Sequence, residues 1–516
     1  GEQWALLTRG TPGEANANAI TLGSVNDLRI NEWSGAGEGG DWLELYHRGS
    51  LPVSLGGLFL TDDPSLAGKT KHPIAHLSFV GPKSWIAFNA DGETQQGSDH
   101  LNFRLSARGE TLRIYSESLN VIDEILVAQS SIEGGSSGRL PDGMDRIVSF
   151  GVHESSTGRP NHQIMEGLRL NEVLLTPQVP LERAIELYNV GPASINISGW
   201  AIGSERSSLD AFRVPSGSVV ESGQYYVLHE TSWLPSMMAQ SSDWHLSNAD
   251  RLYLSELDGQ GVPTGRRVSI LVSPTHWNES FGGIDLNHGL LSERLHSPTF
   301  GASIFGTPEE FQLGAGALNS LPWLGPVIVT ELLIDSEPMV EPLPAPLIGI
   351  EYVELLNRSN ETILLSSSLD PVVGWRLAGG IDFTFESDVT LDAGQVLLVV
   401  NFDPKTEPLK TLALQQAWSL PLDVQVTGPF DGRLDNNGDR VRLQRLAFLP
   451  NPIVGMGAET LAWIDEDHLD YSSQSPWPIL PQTDIVGLSR LNKNAFGNDP
   501  VNWGFAIPSP GLHGAG

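Results

Sequence analysis

One pattern occurs three times in this chain. Asn31-Glu32, followed by Asp41-Trp42-Leu43-Glu44-Leu45-Tyr46, returns as Asn171-Glu172 followed by Ala184-Ile185-Glu186-Leu187-Tyr188-Asn189. It returns again as Thr330-Glu331 followed by Tyr352-Val353-Glu354-Leu355-Leu356-Asn357. A repeat of this size is a repeated domain. The length of 516 residues allows three or four domains of about 150 each.

Each copy opens with a strand and continues with a second in which Leu43/Leu45, Ile185/Leu187 and Val353/Leu355 alternate at period two. A glycine then precedes a large apolar residue, in Gly57-Leu58, Gly199-Trp200 and Gly374-Trp375, where the tryptophans read as core. A third strand, a hairpin and a closing Ser…Arg-Leu element follow. The hairpins fall at residues 105–112, 246–252 and 434–441, and the middle one is shorter and lacks glycine. The closing arginines are Arg139, Arg294 and Arg490. With 55 Gly and 35 Pro as turn signals, about seven short strands per copy predict an all-β chain of tandem immunoglobulin-like antiparallel β-sandwiches. The expected segments are 1–26, a remnant of a preceding domain or an N-terminal tail, then sandwiches at 27–165, 166–322 and 323–516. The third carries long loops near residues 336–346 and 403–430. Trp4 and Thr11-Pro12-Gly13 with Asn16 resemble the closing stretch Trp503 with Pro508-Ser509-Pro510-Gly511.

Charge and composition exclude several functions. The 30 basic and 62 acidic residues leave a net charge of −32, which repels phosphate backbones and anionic membranes. The chain contains no cysteine, so disulfides, thiolate metal sites and cysteine nucleophiles are excluded. No apolar run approaches the ~20 residues of a membrane-spanning helix.

The ordered signatures resemble the lamin tail domain as it occurs in bacterial exported proteins, in three tandem copies. The resemblance rests on the Asn-Glu strand, the Asp-Trp-x-Glu-Leu-Tyr strand, the Gly-Trp pair, the hairpin, the Ser…Arg element and the final Trp…Pro-Gly stretch. It implies an immunoglobulin-like sandwich without a core disulfide. It also implies a structural or interaction role, without catalysis, outside the cell or at its surface. Three departures stand out: only the first copy has Asp-Trp, the third opens with Thr-Glu, and the middle hairpin has no Gly.

The recurrent acids are the candidate site residues. Glu32, Glu172 and Glu331 are in phase with the apolar residues of their strands, so each needs a partner unless a bulge turns it to solvent. Structural ion pairs Glu32–Arg139, Glu172–Arg294 and Glu331–Arg490 are expected. Glu44, Glu186 and Glu354 lie on the opposite face of the second strand and are expected to be exposed. No cofactor is expected. The calcium candidates are Asp435, Asn437 and Asp439, with the acidic run Asp465-Glu466-Asp467…Asp470 and the pair Asp62-Asp63 behind them. Each of these otherwise reads as a turn or a solvated loop.

His72 and His76 stand four apart, but Pro73 argues against a shared helix. Gly134-Gly135-Ser136-Ser137-Gly138 reads as a flexible turn, and Gly35-Ala36-Gly37-Glu38-Gly39-Gly40 as a loop. Trp33 and Trp233 are candidates for stacking on sugars.

The expected function is a non-enzymatic structural or adhesive segment of an exported or cell-surface bacterial protein that assembles with protein partners, including copies of itself. Nucleic acid and membrane insertion are not expected. The alternative is a carbohydrate- or calcium-binding accessory module of a larger extracellular enzyme. A hydrolase with its site in the third copy would need carboxylates, or a Ser-His pair, converging in a pocket there.

Overall fold

The computed structural model describes residues 5–35, 40–106, 108–127, 135–151, 155–204, 212–232, 234–235, 251–286, 289–301, 306–334, 348–366, 373–449, 460–479 and 486–512. Residues 36–39, 134, 246–250 and 336–346 and Trp233, all invoked above, lie outside the described residues.

Two compact units form: Gly1–Glu166 with Leu254–Val268, and Gly167–Tyr253 with Ser269–Gly516. The first unit's main segment ends at Glu166, within one residue of the expected border, while the expected border at 322 falls inside the second unit. Residues 254–268 belong with the first unit, and the second and third copies of the pattern share the second unit. Within the first unit, Gln163–Ile164 pairs in parallel with Arg266 and Arg267.

The first unit is a sandwich built on β1 (Leu28–Ser34), β2 (Trp42–His47), β3 (Phe59–Thr61), β4 (Ser84–Asn89), β5 (Glu110–Tyr115), β6 (Val121–Val127), β7 (Ser136–Arg139) and β8 (Ile147–Phe150). One antiparallel sheet runs β8-β7-β1-β2-β4. In the other, β5 lies between β3 and β6. Leu28, Ile30, Trp33, Leu43 and Leu45 from the first sheet meet Leu60, Leu112 and Ile114 from the second in one buried cluster. Trp33 is core at 3% exposure, so it offers no platform for a sugar.

The second unit repeats this sheet twice. Its first copy uses β9 (Leu168–Leu174), β10 (Ala184–Asn189), β11 (Tyr225–His229), β12 (Phe281–Leu286) and β13 (Gly289–Arg294), in the order β11-β10-β9-β12-β13. A short helix, α1 (Pro308–Gln312), follows, and its Phe311 packs with Phe300 on Leu174 and Ala184.

The next copy contains β14 (Val327–Leu333), β15 (Tyr352–Asn357), β16 (Arg376–Gly379), β17 (Val396–Val400), α2 (Pro408–Trp418), β18 (Gly438–Leu449), β19 (Thr460–Ser472), β20 (Gly487–Arg490) and β21 (Trp503–Ala506). The sheet β17-β15-β14-β20-β21 faces β16-β18-β19 across a core that includes Val329, Val353, Leu355, Trp375, Leu377 and Leu443. Trp200 is buried as well. The expected loop at 403–430 instead carries α2, because Leu414 buries itself against Tyr352, Leu398 and Val400 on the outer face of the sheet.

The same irregularity interrupts the opening strand of all three copies. Ile30 pairs with Leu45, Asn31 is bulged, and Glu32 then pairs with Glu44. Leu170 pairs with Leu187 and Glu172 with Glu186; Val329 pairs with Leu355 and Glu331 with Glu354. One extra residue reverses the facing of everything after it. Trp33 therefore returns to the core opposite Leu43, and the glutamate moves to the outer face beside the second-strand glutamate.

Deletion of Asn31 should remove the bulge and let Glu32 follow Ile30 in strict alternation, still on the outer face opposite Glu44, so the loss comes from the Asn31 side-chain bonds to Glu44, Asp142 and the Gly143 amide. The expected loss is about 1–3 kcal/mol, read as a lower urea midpoint. An unchanged midpoint would refute the role given to the bulge.

Candidate functional site

The bulge makes a pair of neighbouring carboxylates on the outer face of each sheet. All six glutamates are fully buried, at 0% exposure. This corrects the expectation that Glu44, Glu186 and Glu354 face solvent. They are covered by the segment that closes each copy, far away in sequence.

In the first copy Glu32 accepts from Ser136 Oγ at 2.6 Å, Ser156 Oγ at 2.8 Å and the Ser156 amide at 3.2 Å. Glu44 accepts from the Gly158 amide and, at 3.1 Å, from Asn31 Nδ2. In the second, Glu172 accepts from Ser280 Oγ and from Thr299 Oγ1 at 2.6 Å. Glu186 accepts from Asn171 Nδ2 at 2.6 Å and the Ala317 amide at 3.1 Å. In the third, Glu331 accepts from Tyr352 Oη at 2.6 Å and Ser509 Oγ at 2.9 Å, while Glu354 accepts from Thr330 Oγ1 and the Gly511 amide, both at 2.6 Å. The bulge residue and the closing turn thus hold the pair from two sides.

An asparagine completes the first two closures. Asn161 Nδ2 donates to the Arg139 carbonyl at 2.9 Å and the Asn31 carbonyl at 3.3 Å, and Asn319 Nδ2 donates to the Gly283 and Asn171 carbonyls, both at 2.8 Å. Gly138 and Gly282 make room for it. A Cβ there would lie 2.7 Å and 2.8 Å, respectively, from the asparagine nitrogen. The third copy has Ser489 in register with the bulged glutamate, where the others have Gly138 and Gly282.

The expected ion pairs are not the arrangement found. The hydroxyls serve the glutamates, and the arginines take other carboxylates. Arg139 meets Asp123 at 3.1 Å and Arg490 meets Asp467 at 2.6 Å. These two pairs form equivalent clamps on the residue before the bulge. Asp123 accepts from the Ile30 amide at 2.8 Å while Arg139 Nε donates to the Ile30 carbonyl at 2.9 Å. Asp467 accepts from the Val329 amide at 2.8 Å while Arg490 donates to the Val329 carbonyl at 3.0 Å. Each clamp joins the two sheets of its sandwich.

Arg294 does not correspond to Arg139 and Arg490. It ends β13, one strand further from the opening strand, and pairs with Glu279 at 2.9 Å. The strand equivalent to β7 is β12, preceded by Ser280. The sequence signal is Ser-x-Gly at 136–138 and 280–282, not Ser…Arg.

Arg294 belongs instead to a charged junction inside the second unit. It donates to the Asp465 carbonyl at 2.9 Å and stacks on Trp323 at 4.2 Å. His468 lies 3.4 Å from Glu293. Burial alone would lower His468, but Glu293 and Asp465 outweigh it and hold the ring at about 9. His276, which Arg445 approaches at 2.8 Å, is pushed down to about 3 by burial and by Arg445 and Arg294. A cavity of about 510 Å³ opens here, lined among others by Trp323, Arg376, Trp463, Glu466 and His468. Trp323 Nε1 and Glu466 Oε2 are buried without a hydrogen-bond partner.

The run Asp465–Asp470 is strand rather than solvated loop. It lies in β19 and faces Arg440, Arg442 and Arg445 of β18. Asp435 and Asn437 sit in the turn before β18, and Asp439 lies at the start of that strand. Asp435 accepts from the Asn437 amide at 2.8 Å, and Asp439 from the Arg440 amide at 2.8 Å. Among the described residues no group of three His, Cys, Asp or Glu side chains is placed to hold a metal. Asp62 pairs with Lys71. His72 lies in a short strand, not a helix, and Ser136–Gly138 belong to β7 rather than a flexible turn.

Burial pushes Glu44 and Glu186 up to about 8 and Glu172 up to about 7. The folded chain therefore holds protons that ordinary carboxyls release on unfolding. The stability they contribute is complete below the ordinary carboxyl range and is lost as pH rises through about 8. The melting temperature should fall between about pH 5 and about pH 9, and Glu44→Gln with Glu186→Gln should flatten the fall. An equally steep profile in the double variant would refute this.

A family model, Lamin Tail Domain, matches residues 165–266, one copy. No curated protein and no solved structure matches the chain. The match contains the opening, second and third strands of the copy that starts the second unit. Residues 165–266 are therefore matched by the model of an immunoglobulin-like family that is compatible with a non-enzymatic protein-interaction module.

Proposed function

We propose that the chain is a non-enzymatic structural and adhesive segment of an exported or cell-surface bacterial protein, built from three lamin-tail-like modules and mediating protein–protein assembly. One observation carries the reading. The recurrent ionisable groups are used inside the fold, as sealed glutamate pairs and Asp–Arg clamps, so the outer surfaces are left to make contacts. The edge strand β21 is flanked by Leu491, Val501 and Ile507, which are 68%, 60% and 77% exposed. An edge with apolar neighbours favours pairing with another chain.

Light scattering on the purified chain, with and without calcium, tests this. The expected mass exceeds that of a monomer and falls toward it in Leu491→Lys with Ile507→Lys. A monomer at every concentration would overturn self-assembly. A melting curve unchanged by a chelator would count against calcium.

A second reading, saccharide binding, draws support from the junction cavity. A sugar hydroxyl both donates and accepts, which suits Glu466 Oε2 and Trp323 Nε1. Titration calorimetry with soluble cell-wall oligosaccharides, repeated on Trp323→Phe, tests it. Heat that is absent, or equal in the variant, would reject it.

A further inference from the structure

We propose that Thr11-Pro12-Gly13-Glu14-Ala15-Asn16 is the closing turn of one more module of this construction, whose paired glutamates lie upstream on the same polypeptide. The turn has the same build as those that seal the first and third copies. The Ser156 carbonyl accepts from the Arg159 amide at 2.7 Å, the Ser509 carbonyl from Leu512 at 3.1 Å, and the Thr11 carbonyl from Glu14 at 3.1 Å. The glycine two residues after the hydroxyl residue has φ +75° at Gly158, +81° at Gly511 and +81° at Gly13, a left-handed conformation that favours glycine. The hydroxyl residue and this glycine are the groups that grip the two glutamates in the first and third copies.

The order along the chain is the same, with a longer gap to the next module. Asn161 precedes Leu168 by 7 residues and Asn319 precedes Val327 by 8, while Asn16 precedes Leu28 by 12. In this order a closing turn ends one module just before the next begins.

Yet Thr11–Asn16 closes nothing among the described residues. No carboxylate there accepts from Thr11 or Gly13. The flanking segment is held as a small hairpin of its own, through the Thr8 amide to the Asn18 carbonyl and the Ile20 amide to the Leu6 carbonyl.

Asn16 further narrows the partner. By analogy with Asn161 and Asn319, it needs a glycine on the neighbouring strand, as at Gly138 and Gly282. Those two sites are already filled by turns from their own copies, and the third copy carries Ser489. A turn tethered to its own module acts at roughly millimolar effective concentration, so the sealed modules of a second copy compete poorly. A further upstream module with a Ser-x-Gly strand meets the requirement.

Two measurements test the proposal, and neither reads self-association, so their failure leaves the assembly reading untouched. Ser156→Thr, Thr157→Pro, Arg159→Glu and Pro160→Ala together install the N-terminal turn in the first module. Its melting midpoint should stay within a few degrees, and adding Gly158→Val should lower it. Loss of the folded module in the four-residue graft overturns the assignment. In the natural polypeptide extended upstream by one module, Gly13→Val should lower the melting of the added module and leave the present chain unchanged. An upstream sequence without a bulged glutamate pair, or melting indifferent to Gly13→Val, also overturns it.

Discussion

A single extra residue in the opening strand organises this protein. Because Asn31, Asn171 and Thr330 are bulged, each following glutamate leaves the sandwich interior and joins a second glutamate on the outer face. Two adjacent carboxylates cannot remain there uncovered and fully charged at little cost, nor be buried without donors. The closing turn supplies both the cover and the donors. Sheet, bulge and final turn are therefore one device. It fastens the end of each copy to its beginning across more than a hundred residues of chain.

The clamps act on the same point from the other side. Asp123 with Arg139, and Asp467 with Arg490, fix both backbone groups of the residue just before the bulge. They reach it from opposite sheets, so the irregular strand also registers one layer of the sandwich against the other. In the copy between them Arg294 is spent elsewhere, on the charged junction with β19. Lost local symmetry there accompanies a contact that draws two copies into one compact unit.

Much of this was legible in the letters. The recurrence of Asn/Thr-Glu and of Glu-Leu at matching places identified the strands, and the apolar alternation of Leu43 and Leu45 gave the buried face. The facing of Glu32 was not legible, because period two places it with Leu28 and Ile30 until the bulge is known. The cover over Glu44 was invisible for a different reason: its donor, the Gly158 amide, carries no side-chain signature and lies 114 residues away. Arg294 was misread because a short Ser…Arg match cannot separate one strand from its neighbour. The run at 465–470 was misread because acids on a strand become legible only beside the arginines of the strand that pairs with it.

The third copy differs at one small place with a large effect. A side chain on Ser489 stands where the others keep a bare glycine for the asparagine of the closing turn. A growing chain that makes several near-identical fasteners risks closing one sheet with the turn of its neighbour, trapping two modules at once. The serine denies that sheet to any asparagine-bearing turn. The first two copies keep the same glycine seat at Gly138 and Gly282, so the serine sets the third sheet apart from both.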